Sequence, residues 1–284
     1  MNRPPSEQTP PLRPLVFGVL NVTPDSFSDG GEHFDAEAAI AHGRSLVAEG
    51  ADWVDVGGES TAPGTAPVTP EEEQRRVLPV IAALAGDGIR VSIDTYHATT
   101  AAAAIGAGAR IVNDVYGIDP AMPAVIADSD VRYVTMHSFG EPTTPHHYDD
   151  VLAEVRAELL RRVDALQAVG VAPEQIVLDP GLGFSKAPEE NWALLRGTAV
   201  LAATGYPVLI GTSRKRFIRR LVGDPLADRD LATAVTSALA ARSGAWAVRV
   251  HDVRATRIAL DVEGAWSTPH PERDPQDRAE GATT

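Results

Sequence analysis

Short runs of apolar and β-branched residues recur along the chain at wide intervals: Leu15–Asn21, Trp53–Gly57, Ile89–Asp94, Arg110–Asn113, Val131–His137, Gln175–Asp179, Tyr206–Gly211 and Trp246–His251. None alternates cleanly between apolar and polar positions, the pattern expected of strands covered on both faces. Between them lie stretches with helical spacing. Asp35–Glu49 opens on an acid and stops at Gly50, and Thr69 is followed by Pro70 and three glutamates, which reads as an N-cap, a first-turn proline and acids at the positive end of a helix. Thr99–Ile105, Val151–Val169, Asn191–Ala203 and Ala232–Arg242 continue the alternation. Strand then helix, eight times over, predicts an α/β fold: a (β/α)8 TIM barrel in a single domain, with an open doubly wound sheet as the alternative. No G-x-G-x-x-G follows the first run and no Walker A loop is present.

Composition narrows this picture. Residues 13–266 form the expected folded body, close to the roughly 250 residues of such a barrel. Residues 1–12 are rich in proline and polar side chains, and 267–284 carry almost nothing apolar, so both are expected to be disordered. The absence of cysteine excludes disulfides, thiolate chemistry and Cys-based zinc sites. A formal net charge of −14 argues against nucleic-acid binding, although a few basic residues in a cleft still suffice for a small anion. No signal segment and no long apolar run is present, which predicts a cytoplasmic protein with no membrane association.

The candidate chemistry sits at the ends of the predicted strands. They finish on Asn21, Asp55 with Glu59 beyond it, Asp94, Asn113, His137, Asp179, Ser213-Arg214-Lys215, and Arg249 with His251. Any one of these reads as a turn or cap residue. Eight in succession point to the C-terminal face of a barrel, where strand ends converge and active sites are built. Asp94, Asn113 and Asp179 suit a planar, donor-rich heterocycle; Asn21, Lys215, Arg249 and His251 suit an oxyanion or a metal–diphosphate. The two groups together predict a substrate with a polar ring at one end and phosphate at the other.

Several motifs then fall in order: GVLNVTPDSFSDGG at Gly18–Gly31, DVGGEST at Asp55–Thr61, SIDT at Ser92–Thr95, VND at Val112–Asp114, Met136-His137, DPGLGFSK at Asp179–Lys186, Ser213-Arg214-Lys215 and RVHD at Arg249–Asp252. Over residues 17–253 this sequence resembles the dihydropteroate synthases. The resemblance implies a transferase that joins a 6-hydroxymethyl-7,8-dihydropterin diphosphate to p-aminobenzoate, giving dihydropteroate and pyrophosphate by an SN1-like displacement. It implies that Asp94, Asn113, Met136, Asp179 and Lys215 hold the pterin, and that Asn21, Thr61, Arg249 and His251 meet the diphosphate. Asn21 would also meet Mg2+. Phe27, Pro63, Ser213 and Arg216 would enclose p-aminobenzoate, with a helix N-terminus at Ser213–Arg216 facing its carboxylate. Asp94, Lys215 and Asp25 are the implied catalytic residues, and Asp25 and Asp29 would lie on a mobile first loop. The family is usually homodimeric, and Val151–Val169 and Ala232–Arg242 are the candidate contact helices.

The match departs from the family pattern in three places. Ala62 stands where arginine is usual, Tyr96-His97 where the second residue is usually Lys or Arg, and Arg219 where glycine is usual. Ala62 keeps an attenuated or non-catalytic pterin-binding paralogue open as an alternative, with Arg76 or Arg216 as candidate replacements for the missing cation. A pterin-binding methyltransferase would share the barrel but has no diphosphate to hold. A metal site built from His137, His146, His147 and His251 lacks the paired spacing of barrel hydrolases. Trp192, Trp246 and Trp266 are expected in core or interface packing.

Overall fold

A computed structural model describes residues 13–23, 36–59, 68–139 and 146–268. Its strands are β1 (Leu15–Asn21), β2 (Trp53–Gly57), β3 (Val91–Asp94), β4 (Ile111–Asp114), β5 (Arg132–Met136), β6 (Ile176–Asp179), β7 (Leu209–Ile210) and β8 (Ala247–Val250). They form one parallel sheet in the order β6-β5-β4-β3-β2-β1-β8-β7. A single parallel bridge, Leu178 to Val208, joins β6 to the segment before β7 and brings the ends of the sheet together. The barrel reading therefore holds over the open sheet. β7 shrinks to two residues because Pro207 has no N–H to give to a ladder, although its carbonyl accepts from Leu178 N at 2.8 Å.

The helices are α1 (Ala36–Ala48), α2 (Pro70–Gly86), α3 (Ala98–Ala107), α4 (Met122–Ala127), α5 (Val151–Ala168), α6 (Pro188–Arg196), α7 (Thr198–Ala202), α8 (Arg216–Val222), α9 (Leu226–Arg242) and α10 (Val253–Ser267). Thr69 caps α2 as its sequence predicts, its side chain accepting from Glu72 N. The predicted Asn191–Ala203 helix is two helices, because the chain turns at Gly197. α9 begins well before Ala232, at Leu226, while α4 and α10 had not been singled out from sequence. The expected tail boundary also moves, since Ser267 is still helical.

Strand period two organises the interior. Phe17, Ile111, Val134, Val177, Leu209 and Ala247 form a small apolar cluster of their own, with Leu15, Trp53 and Trp246 packed against it. Phe17 stacks on Trp53 and meets Trp246 edge-on, each with ring centroids 5.8 Å apart. This is the barrel's lower layer, distinct from the larger core between strands and helices. Side chains two residues further along a strand share its face. The next layer up is therefore Val19, Asp55, Asn113, Met136, Asp179, Gly211 and Arg249, with Asp94 two residues beyond Ser92 on β3. An apolar plug below and a polar layer above follow from the same alternation.

α5 turns Val151, Val155, Leu159, Val163 and Leu166 inward. Its leucines are thus packed toward the core, and the opposite face presents alanine and charged residues. Trp246 is packed as expected and Trp192 meets Phe217 edge-on, whereas Trp266 is 77% exposed. The start of α5 rests on Asp150, whose carboxylate accepts from Leu152 N and Ala153 N at 3.1 Å each. Asp150→Ala is expected to lower stability by about 1 kcal/mol, read as a lower urea midpoint with an unchanged slope.

Candidate active site

Register brings three predicted residues, Asn21, Asp94 and Asn113, into one row with Gly57. Asn21 pairs with Gly57, Gly57 with Asp94, and Asp94 with Asn113 across β1 to β4. Gly57 has no side chain, and a Cβ there would lie 3.5 Å from Asp94 Cβ and 3.9 Å from Asn21 Oδ1. The row therefore holds an open notch between the exposed Asn21 amide and the Asp94 carboxylate. On β5 and β6, Met136 is the register partner of Asp179.

Arg249 ties this polar layer together. Its Nε donates to Asp55 Oδ2 and its Nη2 to Asp94 Oδ2, both at 2.5 Å. Asn113 Nδ2 donates to the same Asp55 oxygen at 3.1 Å. One guanidinium thus serves two carboxylates in a closed space. Burial, with Asp55 nearby and only Arg249 in opposition, pushes the Asp94 carboxyl up to about 7. Asp55 Oδ1 and Asn113 Oδ1 are buried with no hydrogen-bond partner among the described residues. Native proteins rarely leave such atoms unsatisfied, and each costs about 1–3 kcal/mol.

Asp179 and Lys215 stand across the layer. Asp179 Oδ1 accepts from Gly181 N at 2.7 Å, and burial raises its carboxyl against the pull of Lys215. Lys215 Nζ donates to Leu182 O and lies 4.8 Å from the centre of the Phe184 ring. Burial pushes this ammonium down to about 8, with Asp179 opposing and Arg249 assisting. Lys215 is therefore poised to hold or release a proton near neutral pH.

His251 sits beside this group as a neutral donor. Its Nδ1 lies 2.9 Å from Ser213 Oγ, and burial, then Arg214 and Arg249, push it down to about 3. With the Ser213 hydroxyl donating to Nδ1, the proton resides on Nε2, which can then meet an anion. Ser213, expected on the benzoate side, is thus engaged with the anion-side histidine. Arg216, at the start of α8, lines a cavity of about 520 Å3 with Gly183, Lys186, Asn191, Phe217 and Arg219. Asp25, Phe27, Asp29, Thr61, Ala62 and Pro63 lie outside the described residues.

The signature of the family described as Pterin binding enzyme matches residues 17–251. The dihydropteroate synthase of Mycobacterium leprae (strain TN) is 54% identical over 263 residues, covering 88% of this chain and 93% of that protein. The chain belongs to the dihydropteroate synthase family. The solved Xanthomonas albilineans dihydropteroate synthase with 4-aminobenzoic acid matches with a TM-score of 0.85 at 44% identity, over 90% of this chain and 94% of that one. The same organism's enzyme in complex with 7,8-dihydropteroate matches with a TM-score of 0.82 at 42% identity, over 90% and 95% of the two chains.

Two departures from the dihydropteroate synthase pattern have structural partners. His97 Nδ1 lies 2.9 Å from the buried Glu73 carboxylate, which also accepts from Thr95 Oγ1 at 2.9 Å. The preceding Tyr96 donates its hydroxyl to Glu59, 2.9 Å from Oε2. Arg76 is held by Glu72 and donates to Gly58 O at 2.9 Å, directly beneath the β2 loop. Arg219 pairs with Asp224 at the rim of the 520 Å3 cavity. The histidines have separate partners: His137 meets Lys186, His146 stacks on Phe139, His147 faces Asp149 and His251 meets Ser213. Among the described residues no cluster of three or more His, Cys, Asp or Glu could hold a metal ion.

Sequence reasoning placed Asp55 among the strand-terminal polar residues without giving it a role, and did not single out Phe184. Asp55 was visible as a polar residue inside an apolar strand, and Phe184 lay within the DPGLGFSK motif. The Asp94 environment gives a signed prediction. The folded state holds this proton more tightly than the unfolded chain, whose aspartate titrates near pH 4. Stability should therefore fall as pH rises from about 4 to about 7. Asp94→Asn is expected to melt about 2 °C or more above the wild type at pH 8, the gain shrinking towards pH 4. A lower melting temperature at pH 8 would mean that the Arg249 ion pair outweighs burial.

Proposed function

We propose that this chain joins 6-hydroxymethyl-7,8-dihydropterin diphosphate to p-aminobenzoate, forming 7,8-dihydropteroate and pyrophosphate in folate biosynthesis. The Mycobacterium leprae relative carries that activity in its name, at 54% identity over most of both chains. The observation that carries the residue assignment is the pair of orphaned buried acceptors, Asp55 Oδ1 and Asn113 Oδ1, in a layer otherwise filled by Asp94, Asp179, Met136 and Arg249. A pterin edge, rich in N–H donors, satisfies such acceptors. The attenuated-paralogue alternative rests on Ala62 alone and is not favoured beside this degree of identity.

The chemistry follows from charge. The bond between the pterin methylene carbon and the diphosphate oxygen breaks, and its electron pair leaves with the diphosphate. Asp94 faces the positive charge that develops on the pterin, and a fixed carboxylate in a water-poor site stabilises it. Nη1 of Arg249, left over from its two carboxylate contacts, and Nε2–H of His251 are donors for the departing anion. The arylamine lone pair then forms the C–N bond, and the amine loses a proton. Lys215 holds the pterin from the Asp179 side. In this reading Phe27, Pro63, Ser213 and Arg216 are assigned to p-aminobenzoate, Thr61 to the diphosphate and Asp25 to catalysis.

Mg2+ fits Asn21. Its exposed amide oxygen beside the Gly57 notch is a hard ligand, and Mg2+ commonly takes few protein ligands, keeping waters and substrate phosphate oxygens. When bound there it would supply charge neutralisation for the diphosphate. No helix among the described residues is long and apolar enough to cross a membrane. A cytoplasmic location is part of this proposal.

The chain is further proposed to form a homodimer. Leu231, Val235 and Leu239 on α9, and Ile258, Val262 and Trp266 on α10, are each more than half exposed. Both sets recur every four residues and so form one stripe per helix, and α9 packs against α10. Paired stripes of this kind mark an interaction surface.

The decisive assay supplies purified protein with both substrates and Mg2+ and scores dihydropteroate and pyrophosphate in equal amounts. Asn113→Ala is expected to raise KM for the pterin substrate about tenfold, the effect of one buried hydrogen-bonding group. Pterin binding without product would establish the non-catalytic paralogue instead. For the dimer, Val235→Glu is expected to halve the mass seen in sedimentation, and an unchanged mass would move the interface elsewhere.

A further inference from the structure

We propose that Lys186 is a positioning residue of the reaction, an interior cation around which the 179–186 loop folds and which thereby sets Asp179 and Lys215. The inference rests on the reading of those two residues as pterin-holding groups. Lys186 Nζ lies 3.0 Å from His137 Nδ1, Gly181 O and Phe184 O, with His137 O at 3.4 Å. An ammonium has three protons, and three near acceptors use them all.

The loop's backbone is bent to make this cradle. Gly181 and Gly183 have φ of 66° and 84°, and Ser185, which has a side chain, has φ of 51°. A left-handed serine is strained and persists only where its surroundings impose it. The central cation supplies that imposition: it draws the carbonyls of 181 and 184 inward together. Gly181 cannot be replaced, because a Cβ would lie 1.9 Å from His137 O, the carbonyl at the end of β5.

Two of the loop's three contacts with the site pass through Gly181 and Phe184, the residues whose carbonyls Lys186 holds, and the third passes through Leu182 between them. Gly181 N donates to Asp179 Oδ1, Leu182 O accepts from Lys215, and the Phe184 ring lies beside the Lys215 ammonium. Asn191, at the start of α6, accepts from Gly183 N at 2.5 Å and donates to Ala187 O at 2.7 Å, closing the loop from outside. The other charged and aromatic groups around Lys186 are Asp179 and Lys215, Glu190 on α6, Arg162 on α5, and the Tyr148 ring 6.0 Å away. Burial lowers the ammonium to about 7 and Asp179 partly restores it, while His137, pushed down to about 3 by burial and then by Lys186, stays a neutral acceptor. Without the cation, the Phe184 carbonyl and the His137 ring nitrogen would each lose a donor, and Gly181 O would keep Phe184 N at 3.2 Å.

The absence of cysteine gives a selective test. Lys186 borders the 520 Å3 cavity, so reagents can reach a Lys186→Cys variant. Lys186→Cys and Lys186→Met are expected to raise KM for pterin diphosphate at least tenfold, with KM for p-aminobenzoate within about threefold. Aminoethylation of the cysteine restores an ammonium at the same reach and should recover most of the pterin KM; carbamidomethylation, neutral and similar in size, should not. Wild-type pterin KM in Lys186→Met, or equal recovery by both alkylations, overturns the role. Asp179→Asn is run alongside. If it raises pterin KM while Lys186→Met does not, only the Lys186 role falls; if Asp179→Asn is silent, the pterin reading falls and takes this role with it.

Discussion

One arginine between two carboxylates governs the centre of this molecule. Arg249 reaches Asp55 and Asp94 together, and all three lie in a layer sealed below by Phe17, Trp53 and Trp246. The apolar plug removes water from beneath the charges, so each hydrogen bond there is stronger and each missing one more costly. Asp55, Asp94 and Asp179 outnumber Arg249 and Lys215 there, so the layer keeps a surplus of acidic groups. That surplus stands where the reading of the site needs a pterin to become positive, so a liability for folding is an asset for catalysis.

The same economy recurs on the far wall. Asp179 and Lys215 are both shifted towards neutrality by burial, and each is held in place by the 179–186 loop rather than by the other. The loop in turn depends on an inward-facing cation. Cations therefore appear at two depths: Arg249 among side-chain carboxylates, and Lys186 among backbone carbonyls. His251 and His137, lying near these cations, are kept neutral and serve as hydrogen-bonding groups rather than charges.

The outside of the barrel follows a different rule. Most helices spend their apolar side on the strands, as α5 does, while α9 and α10 retain exposed ladders of leucine, isoleucine, valine and tryptophan. A closed barrel has no sheet edge to offer a partner, so any stable self-association must use helix surface. These two neighbouring helices are where such surface remains.

Much of this was legible without coordinates. β1 and β2 have the bounds read from their apolar runs, Thr69 caps α2, and strand-terminal polarity pointed to the candidate site because every strand of a parallel barrel points its end the same way. The ordered motifs from Gly18 to Asp252 identified the family, since short-range sequence fixes loop chemistry residue by residue. Partnerships were another matter. Arg249 lies 194 positions from Asp55 and 155 from Asp94, Ser213 turns to His251 instead of standing free, and nothing around Lys186 in sequence says that its ammonium is enclosed. Register, layer and burial decide those contacts. They are properties of the closed barrel, because only closure brings distant strands to the same height and excludes the water that would otherwise have taken each partner's place.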